Sequence, residues 1–555
     1  MPDSTSRESR ESRESRESTA SSEPTYDAVV VGAGFAGLYT LHSLRRRGLT
    51  VRLFEAGDGV GGTWFWNRYP GARCDVDSAD YSYSFDDDLQ QEWVWTERFP
   101  AQPEILRYLE HVADRFGLRE DITFGSRVTS AHFDDASGLW TVTTDSGDTV
   151  TARWTVMATG PLSSARIPDI AGLATFTGEI HHTANWPEQG VDFRGKRVGV
   201  IGTGSSGVQA IPVIAEQAAE LTVFQRTPGF VLPARNRPLG PGELAEIKAD
   251  YPARRQLQRQ SHGGWILPPP VGLALETAPD VRIKEYETRW AAGGLAFQTT
   301  FGDVMTDATA NETAAEFVRS KIRETVSDPV TAEVLCPKGY PLGSKRVCVG
   351  TDYYETFNRG NVELVDLRAT PIEEIVSEGI RTDAGVHELD AIVFATGFDA
   401  MTGALGAIDI RGRDGVTLRD TWEAGPRTYL GVSVAGFPNL FVLAGPGSPS
   451  VLSNVVVSIE QHVEWVIGYL DHMRSTGARF AEATLEAQDE WVEHVTGIAV
   501  GSLYMQADSW YLGANVPGKP RIFMPYLGGV GNYRNLCAQI AADGYRGFST
   551  TTELG

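Results

Sequence analysis

Residues 27–62 read DAVVVGAGFAGLYTLHSLRRRGLTVRLFEAGDGVGG, and the order of residue types in this stretch decides the fold. Asp27 to Val31 is a short β-type run. Gly32, Gly34 and Gly37 follow as G-x-G-x-x-G, an amphipathic helix is predicted from Ala36 to Arg47, and a second strand from Val51 to Glu55. A strand, a glycine turn, a helix and a distal acid in this order form a unit that takes a dinucleotide. The first glycine permits the tight turn, the second admits a pyrophosphate, and the third lets the helix lie on the strand. The helix start offers free N–H groups and a positive dipole end. Glu55 can accept from a ribose hydroxyl. A glycine turn with no ligand would need neither the strand before it nor the acid behind it.

The pattern returns at 197–228, RVGVIGTGSSGVQAIPVIAEQAAELTVFQRTP. Val198 to Ile201 is the strand. Gly202, Gly204 and Gly207, with Thr203, Ser205, Ser206 and Gln209 among them, make the expected nucleotide loop. After the strand Leu221 to Gln225, the place of the acid is taken by Arg226, followed by Thr227. An acid there would repel a 2′-phosphate, whereas a guanidinium holds one in bidentate fashion. The second unit is therefore expected to take NADPH. The first opens the fold and carries the acid, so it is expected to take FAD. Two further β-type runs end in Ala-Thr-Gly, at 158–160 and 395–397, and read as crossings between the two nucleotide domains.

The expected fold class is α/β, with two Rossmann-like dinucleotide-binding domains, for FAD and NADPH, and a mostly helical insertion. By spacing, residues 25–160 and 395–555 form the FAD domain, 161–230 and 341–394 the NADPH domain, and 231–340 the insertion. Residues 1–24, with their Arg-Glu-Ser repeat, have no apolar face to bury and are expected to be a disordered tail.

The rest of the 555 residues removes other classes. With 49 basic against 72 acidic residues the net charge is −23, the wrong sign for an electrostatic nucleic-acid binder. No apolar run reaches the ~18 residues of a membrane span, and no apolar leader is visible, so a cytoplasmic enzyme without membrane contact is expected. Cys74, Cys336, Cys348 and Cys537 form no C-x-x-C, which speaks against a disulfide scaffold or a dithiol reductase. Histidines and cysteines show no ligand spacing, so no metal is expected. The oligomeric state is left open, and a monomer is compatible with everything above.

Two stretches carry a resemblance. Residues 61–75 read GGTWFWNRYPGARCD, and residues 176–187 read FTGEIHHTANWP, which fits F-x-G-x-x-x-H-x-x-x-W-P. These resemble the motifs of the type I Baeyer–Villiger monooxygenases, and the likeness runs from about residue 26 to the C-terminus. KGYPLGSKR, GPGSPSVLSN and SWYLGANVPGKPR are similar to the phenylacetone and steroid monooxygenase branch. The resemblance implies that NADPH reduces FAD, that the reduced flavin takes O₂ as a C4a-peroxide, and that this attacks a ketone to give an ester or lactone. A fixed cation suits such chemistry, because Arg stays protonated at any working pH. The resemblance makes Arg346 that cation and Asp75 its counter-charge. It places Lys345 beside Arg226 and Thr227 on the 2′-phosphate and Trp510 near nicotinamide and substrate. It also places Thr63, Trp64, Tyr81 and Val128 at FAD. His182 reads as a structural residue in a linking loop. Residues 445–454 are expected to line the pocket, and Pro161 and Val455 stand at positions where relatives vary. The alternative class is a flavin monooxygenase that oxidises amine or sulfide heteroatoms.

Overall fold

In the computed structural model the described residues are 24–552, and the Arg-Glu-Ser repeat lies outside them. The first nucleotide unit consists of β1 (Tyr26–Val31), α1 (Phe35–Arg45) and β2 (Val51–Phe54). β1 and β2 pair in parallel from Ala28↔Val51 to Val31↔Phe54. Ala28, Val29 and Val30 have no exposed surface. That is why the run is apolar throughout: a parallel strand covered on both faces has no polar side to show. α1 ends two residues earlier than predicted, because the chain turns at Gly48 with φ 72°.

The first sheet has eight strands. Its spatial order is Asp409–Arg411, Val128–Asp134, Leu139–Thr144, Thr149–Met157, β1, β2 and Ile122–Thr123, with Leu440–Val442 also paired to Thr149–Met157. Chain from both ends of the sequence therefore meets in one sheet. The second unit consists of β3 (Arg197–Ile201), α2 (Ser205–Gln217) and β4 (Glu220–Gln225). Its sheet has five strands in the order Val362–Asp366, β4, β3, Ala391–Phe394 and Glu179–His182, all parallel. The molecule is an α/β protein with two Rossmann-like units.

The Ala-Thr-Gly segments follow Met157 of the first sheet and Phe394 of the second. Each lays a carbonyl against the opening glycine of its unit: a Cβ on Gly32 would stand 2.7 Å from the Ala158 oxygen, and one on Gly202 2.5 Å from the Ala395 oxygen.

Between Val231–Pro233 and Cys348–Gly350, two short strands that pair in parallel, the chain is helical. It forms Pro241–Ala249, α3 (Tyr251–Gln260), Pro279–Ala292, Ala308–Thr325 and Pro329–Leu335. α3 docks on the 80–84 segment through Arg255, which is 5% exposed. The guanidinium donates to Gln90 at 2.9 Å, to Ser82 at 2.8 Å and to the Tyr83 carbonyl at 3.3 Å. Arg254 pairs with buried Asp80. Among the described residues no helix is long and apolar enough to cross a membrane.

Candidate active site

Gly34 caps α1 without any side-chain hydrogen bond to the helix start. Gly62 faces it so closely that a Cβ there would stand 2.8 Å from the Gly34 Cα. Open N–H groups between two glycines fit a pyrophosphate. Glu55, 4% exposed, lies beneath this turn. One carboxylate oxygen accepts from Ala33 N–H at 2.6 Å and the other from Gly57 N–H at 2.7 Å. Burial raises its pKa and these two bonds oppose the rise. Glu55 thus shapes the glycine turn, a task its position in the sequence did not disclose, and each oxygen keeps a lone pair for a ribose hydroxyl. Thr63 begins the short helix Thr63–Trp66 and is exposed. The Trp64 indole donates to the Tyr81 hydroxyl at 3.2 Å, and Tyr81 meets Phe35 of α1 edge to face at 5.3 Å. Val128 is buried at the start of its strand.

The second cradle is open. α2 begins without a side-chain cap, and nothing lies within 4 Å of a Cβ built on Gly204. Ser205 is exposed and Ser206 half-buried at the helix start, while the Thr203 hydroxyl reaches the Thr227 carbonyl at 3.4 Å. Arg226 is exposed, and Lys345 stands 4.8 Å over the Tyr340 ring. Among the described residues neither cation forms an ion pair. Burial pushes the Lys345 ammonium below its ordinary range, and the Arg226 charge adds to that while Asp508 opposes it. Two like charges close enough to interact and without an ion-pair partner repel each other, and a phosphate dianion relieves that repulsion. The residues present fit a 2′-phosphate.

Arg346 follows Lys345 directly and faces the other way. Its Nη2 donates to the Asp75 carboxylate at 2.6 Å and its Nη1 to the Val451 carbonyl, within the 445–454 loop, at 3.4 Å. Asp75 raises the Arg346 pKa more than burial lowers it, so the guanidinium remains charged. Burial raises the phenols of Tyr504 and Tyr511, and both lie close enough to Arg346 for its charge to oppose that rise. Trp510 leans on Tyr511 at 4.3 Å between ring centres. The two tyrosines had no signal in the sequence beyond their nearness to Trp510.

His182 and Gln209 both tie separate segments together. His182 ties the second crossing to the chain beyond the first: its Nδ1 accepts from Ala184 N–H at 3.0 Å, so the proton sits on Nε2, which faces the Arg166 carbonyl at 3.2 Å and the Thr396 hydroxyl at 3.4 Å. Burial lowers its pKa, and the neutral ring ties these two loop segments together. Gln209, expected at the nucleotide, turns its amide to Tyr69 and Arg73 instead, because α2 packs against that segment. The segment carrying Trp510 is tied to the second crossing by Arg166 on the Asn515 carbonyl, Asn515 on the Phe398 carbonyl at 2.7 Å, and Lys519 on Asp399 at 2.5 Å. All four cysteines are free and buried.

Two dinucleotide cradles joined at one arginine–carboxylate pair define a two-nucleotide flavoprotein oxidoreductase. A protein family described as pyridine nucleotide-disulphide oxidoreductase matches residues 26–246. A Baeyer–Villiger monooxygenase of Pseudooceanicola batsensis is 45% identical over 525 residues, 94% of this chain and 95% of that protein. A phenazine N-monooxygenase of Lysobacter antibioticus is 42% identical over 527 residues, 94% of this chain and 96% of that one. The solved structure of an oxidized steroid monooxygenase bound to NADP is 55% identical and superposes with a TM-score of 0.91, covering 95% of this chain and 99% of its own. The chain belongs to the Baeyer–Villiger monooxygenases, and its cofactors are FAD and NADPH.

Proposed function

We propose that the chain converts ketones to esters or lactones with NADPH and O₂, and that Arg346 is the group on which the oxygenation depends. The observation that carries this reading is the 2.6 Å pair of Arg346 with Asp75, where the two cradles meet. FAD, when bound, supplies the two-electron link between NADPH and O₂. The chain's own residues do the rest. Gly32, Gly34, Gly37 and Glu55 hold FAD, with Thr63, Trp64, Tyr81 and Val128 along it. Gly202, Thr203, Gly204, Ser205, Ser206 and Gly207 hold the pyrophosphate of NADPH, and Arg226, Thr227 and Lys345 hold its 2′-phosphate. Arg346 presents a permanent positive charge to negative oxygen as it develops, and a preorganised charge of this kind lowers a barrier without rearranging when the reaction occurs. Asp75 holds that charge in place. Trp510 closes the nicotinamide side. We also place the enzyme in the cytoplasm and assign residues 161–230 and 341–394 to the NADPH-binding domain.

The test is purified, yellow enzyme with NADPH, air and a panel of aryl, cyclic and steroid ketones, followed by gas chromatography. Ester from at least one ketone is the expected result, and NADPH consumption without ester from any of them overturns the reading. Oxygenation of heteroatoms is the second reading, favoured by the relative whose name gives phenazine N-oxidation. An organic sulfide in the same panel decides between them: sulfoxide formed faster than any ester favours the second.

A further inference from the structure

The Tyr69–Asp75 segment runs between the two cradles and ends on the carboxylate that holds Arg346. Gln209, one turn into α2, grips it with both ends of its amide. Its Oε1 accepts from the Tyr69 hydroxyl at 2.8 Å and from Arg73 N–H at 3.4 Å, and its Nε2 donates to the Arg73 carbonyl at 3.1 Å. The backbones are equally close: Gly71 holds φ 80°, and a Cβ on it would stand 2.3 Å from the Gln209 carbonyl. Arg68 adds an ion pair with Glu188, just past the Trp186-Pro187 end of the fingerprint motif, at 2.9 Å. The segment's far side is held as firmly. Cys74 N–H donates to the Pro100 carbonyl at 3.0 Å, Gln102 N–H to the Ala72 carbonyl at 2.8 Å, and the Arg73 guanidinium to the Phe99 carbonyl at 3.1 Å. Three of the four hydrogen-bonding positions of the Gln209 amide are thus taken by this segment.

We propose that Gln209 is a positioning residue that passes the placement of α2, the helix of the NADPH cradle, to the Tyr69–Asp75 segment and so to the Arg346 guanidinium. The proposal rests on the ketone-oxygenase reading above. Without the clamp, Asp75 and Arg346 lose their register while the nucleotide cradle keeps its own glycines and cations. The enzyme then still oxidises NADPH, but oxygen leaves reduced: NADPH, a proton and O₂ give NADP⁺ and hydrogen peroxide. The productive reaction takes the same three with a ketone to NADP⁺, ester and water. Small displacements of a catalytic group are enough, since about 1 Å costs up to ~100-fold in rate.

Gln209→Met keeps the side chain's length and removes its amide; Tyr69→Phe removes one partner hydroxyl and disturbs the fold least. Three quantities are measured on the holoenzymes beside the unaltered protein: ester and peroxide per NADPH, the Kd for NADP⁺, and hydrogen exchange of the peptide spanning 69–75. The expected result is severalfold less ester per NADPH with matching peroxide, faster exchange in that peptide, and a smaller change in Kd than Arg226→Ala produces. The double variant should be no worse than Gln209→Met alone. Unchanged coupling and exchange in both single variants overturns the proposal, and so does a loss confined to NADP⁺ affinity, which would make Gln209 a cofactor ligand. If the unaltered protein itself yields no ester, the ketone reading fails, while exchange and Kd still decide whether the clamp exists.

Discussion

Arg346 is a single charge with one strong partner. Its side chain is 26% exposed, and the 2.6 Å pair with Asp75 fixes the aim of its guanidinium. Arg346→Ala is expected to retain FAD and NADPH and to lower ester formation by about 10²–10³-fold, the usual cost of removing one preorganised charge or donor. Rapid-mixing absorbance and product yield check this, and full ester yield would contradict it. Arg226 is exposed and makes no ion pair among the described residues, so its loss costs little in fold. A charged hydrogen bond lost to a phosphate weakens binding by about 1.5–3 kcal/mol, and Arg226→Ala should therefore raise the KM for NADPH while leaving that for NADH nearly unchanged. Lys345 adds a pH signature. Its pKa is lowered, first by burial, so it becomes neutral at a lower pH than a free lysine. Affinity for NADPH should then weaken as pH rises through the alkaline range, sooner than for a solvent-exposed lysine. Lys345→Arg should flatten that rise, and a pH profile of KM that does not respond to the substitution would remove Lys345 from the phosphate.

The two strand–helix–strand elements are alike in plan and separable in effect. In each, the third glycine lets the helix approach the turn: a Cβ on Gly207 would stand 2.2 Å from the Gly202 carbonyl. Both atoms belong to backbone, so neither can move aside freely. Gly207→Ala is expected to displace the start of α2 and to cost about 1–3 kcal/mol in NADPH binding, with FAD content unchanged because α1 belongs to the unit built on the other sheet. Cofactor content by absorbance and the NADPH KM measure the two outcomes separately. This level of structure was readable in the chain. Gly32, Gly34, Gly37 and Glu55 lie within one continuous stretch, as do Gly202 to Arg226, and their spacing obeys local backbone geometry. The extra duty of Glu55 was not readable, since the glycine turn curls back onto its carboxylate only when the unit is folded.

Across the whole molecule, the helical insertion is fastened by charge buried where it meets the 80–84 segment and the helix Val455–Thr476. Glu460 is 3% exposed; one oxygen accepts from Ser84 N–H at 2.6 Å and the other from the Ser84 hydroxyl at 2.5 Å. Burial raises its pKa, and the bonds to Ser84 and the Arg255 charge oppose the rise. Arg255→Met removes the compensating charge and leaves several buried acceptors without a donor, so it should destabilise by about 3–5 kcal/mol near neutral pH. The sign of the pH dependence follows. A carboxyl whose folded pKa is raised favours the fold below its unfolded pKa and loses that contribution as pH climbs through the folded value. The variant's deficit should therefore be larger at pH 8 than at pH 5, as denaturant titrations at the two values would show; an equal deficit would mean that Glu460 does not sense Arg255.

What the amino-acid sequence determined by itself is whatever neighbouring residues decide together: two nucleotide units, the apolar strands at their centres, and a cation in place of an acid at position 226. Asp75 and Arg346 stand 271 positions apart, and Gln209 and Tyr69 stand 140 apart. Resemblance named the first pair and nothing in the chain named the second. Only the tertiary structure decided these contacts, because they arise where two separately built sheets come together, and no local periodicity encodes which side chains will meet there.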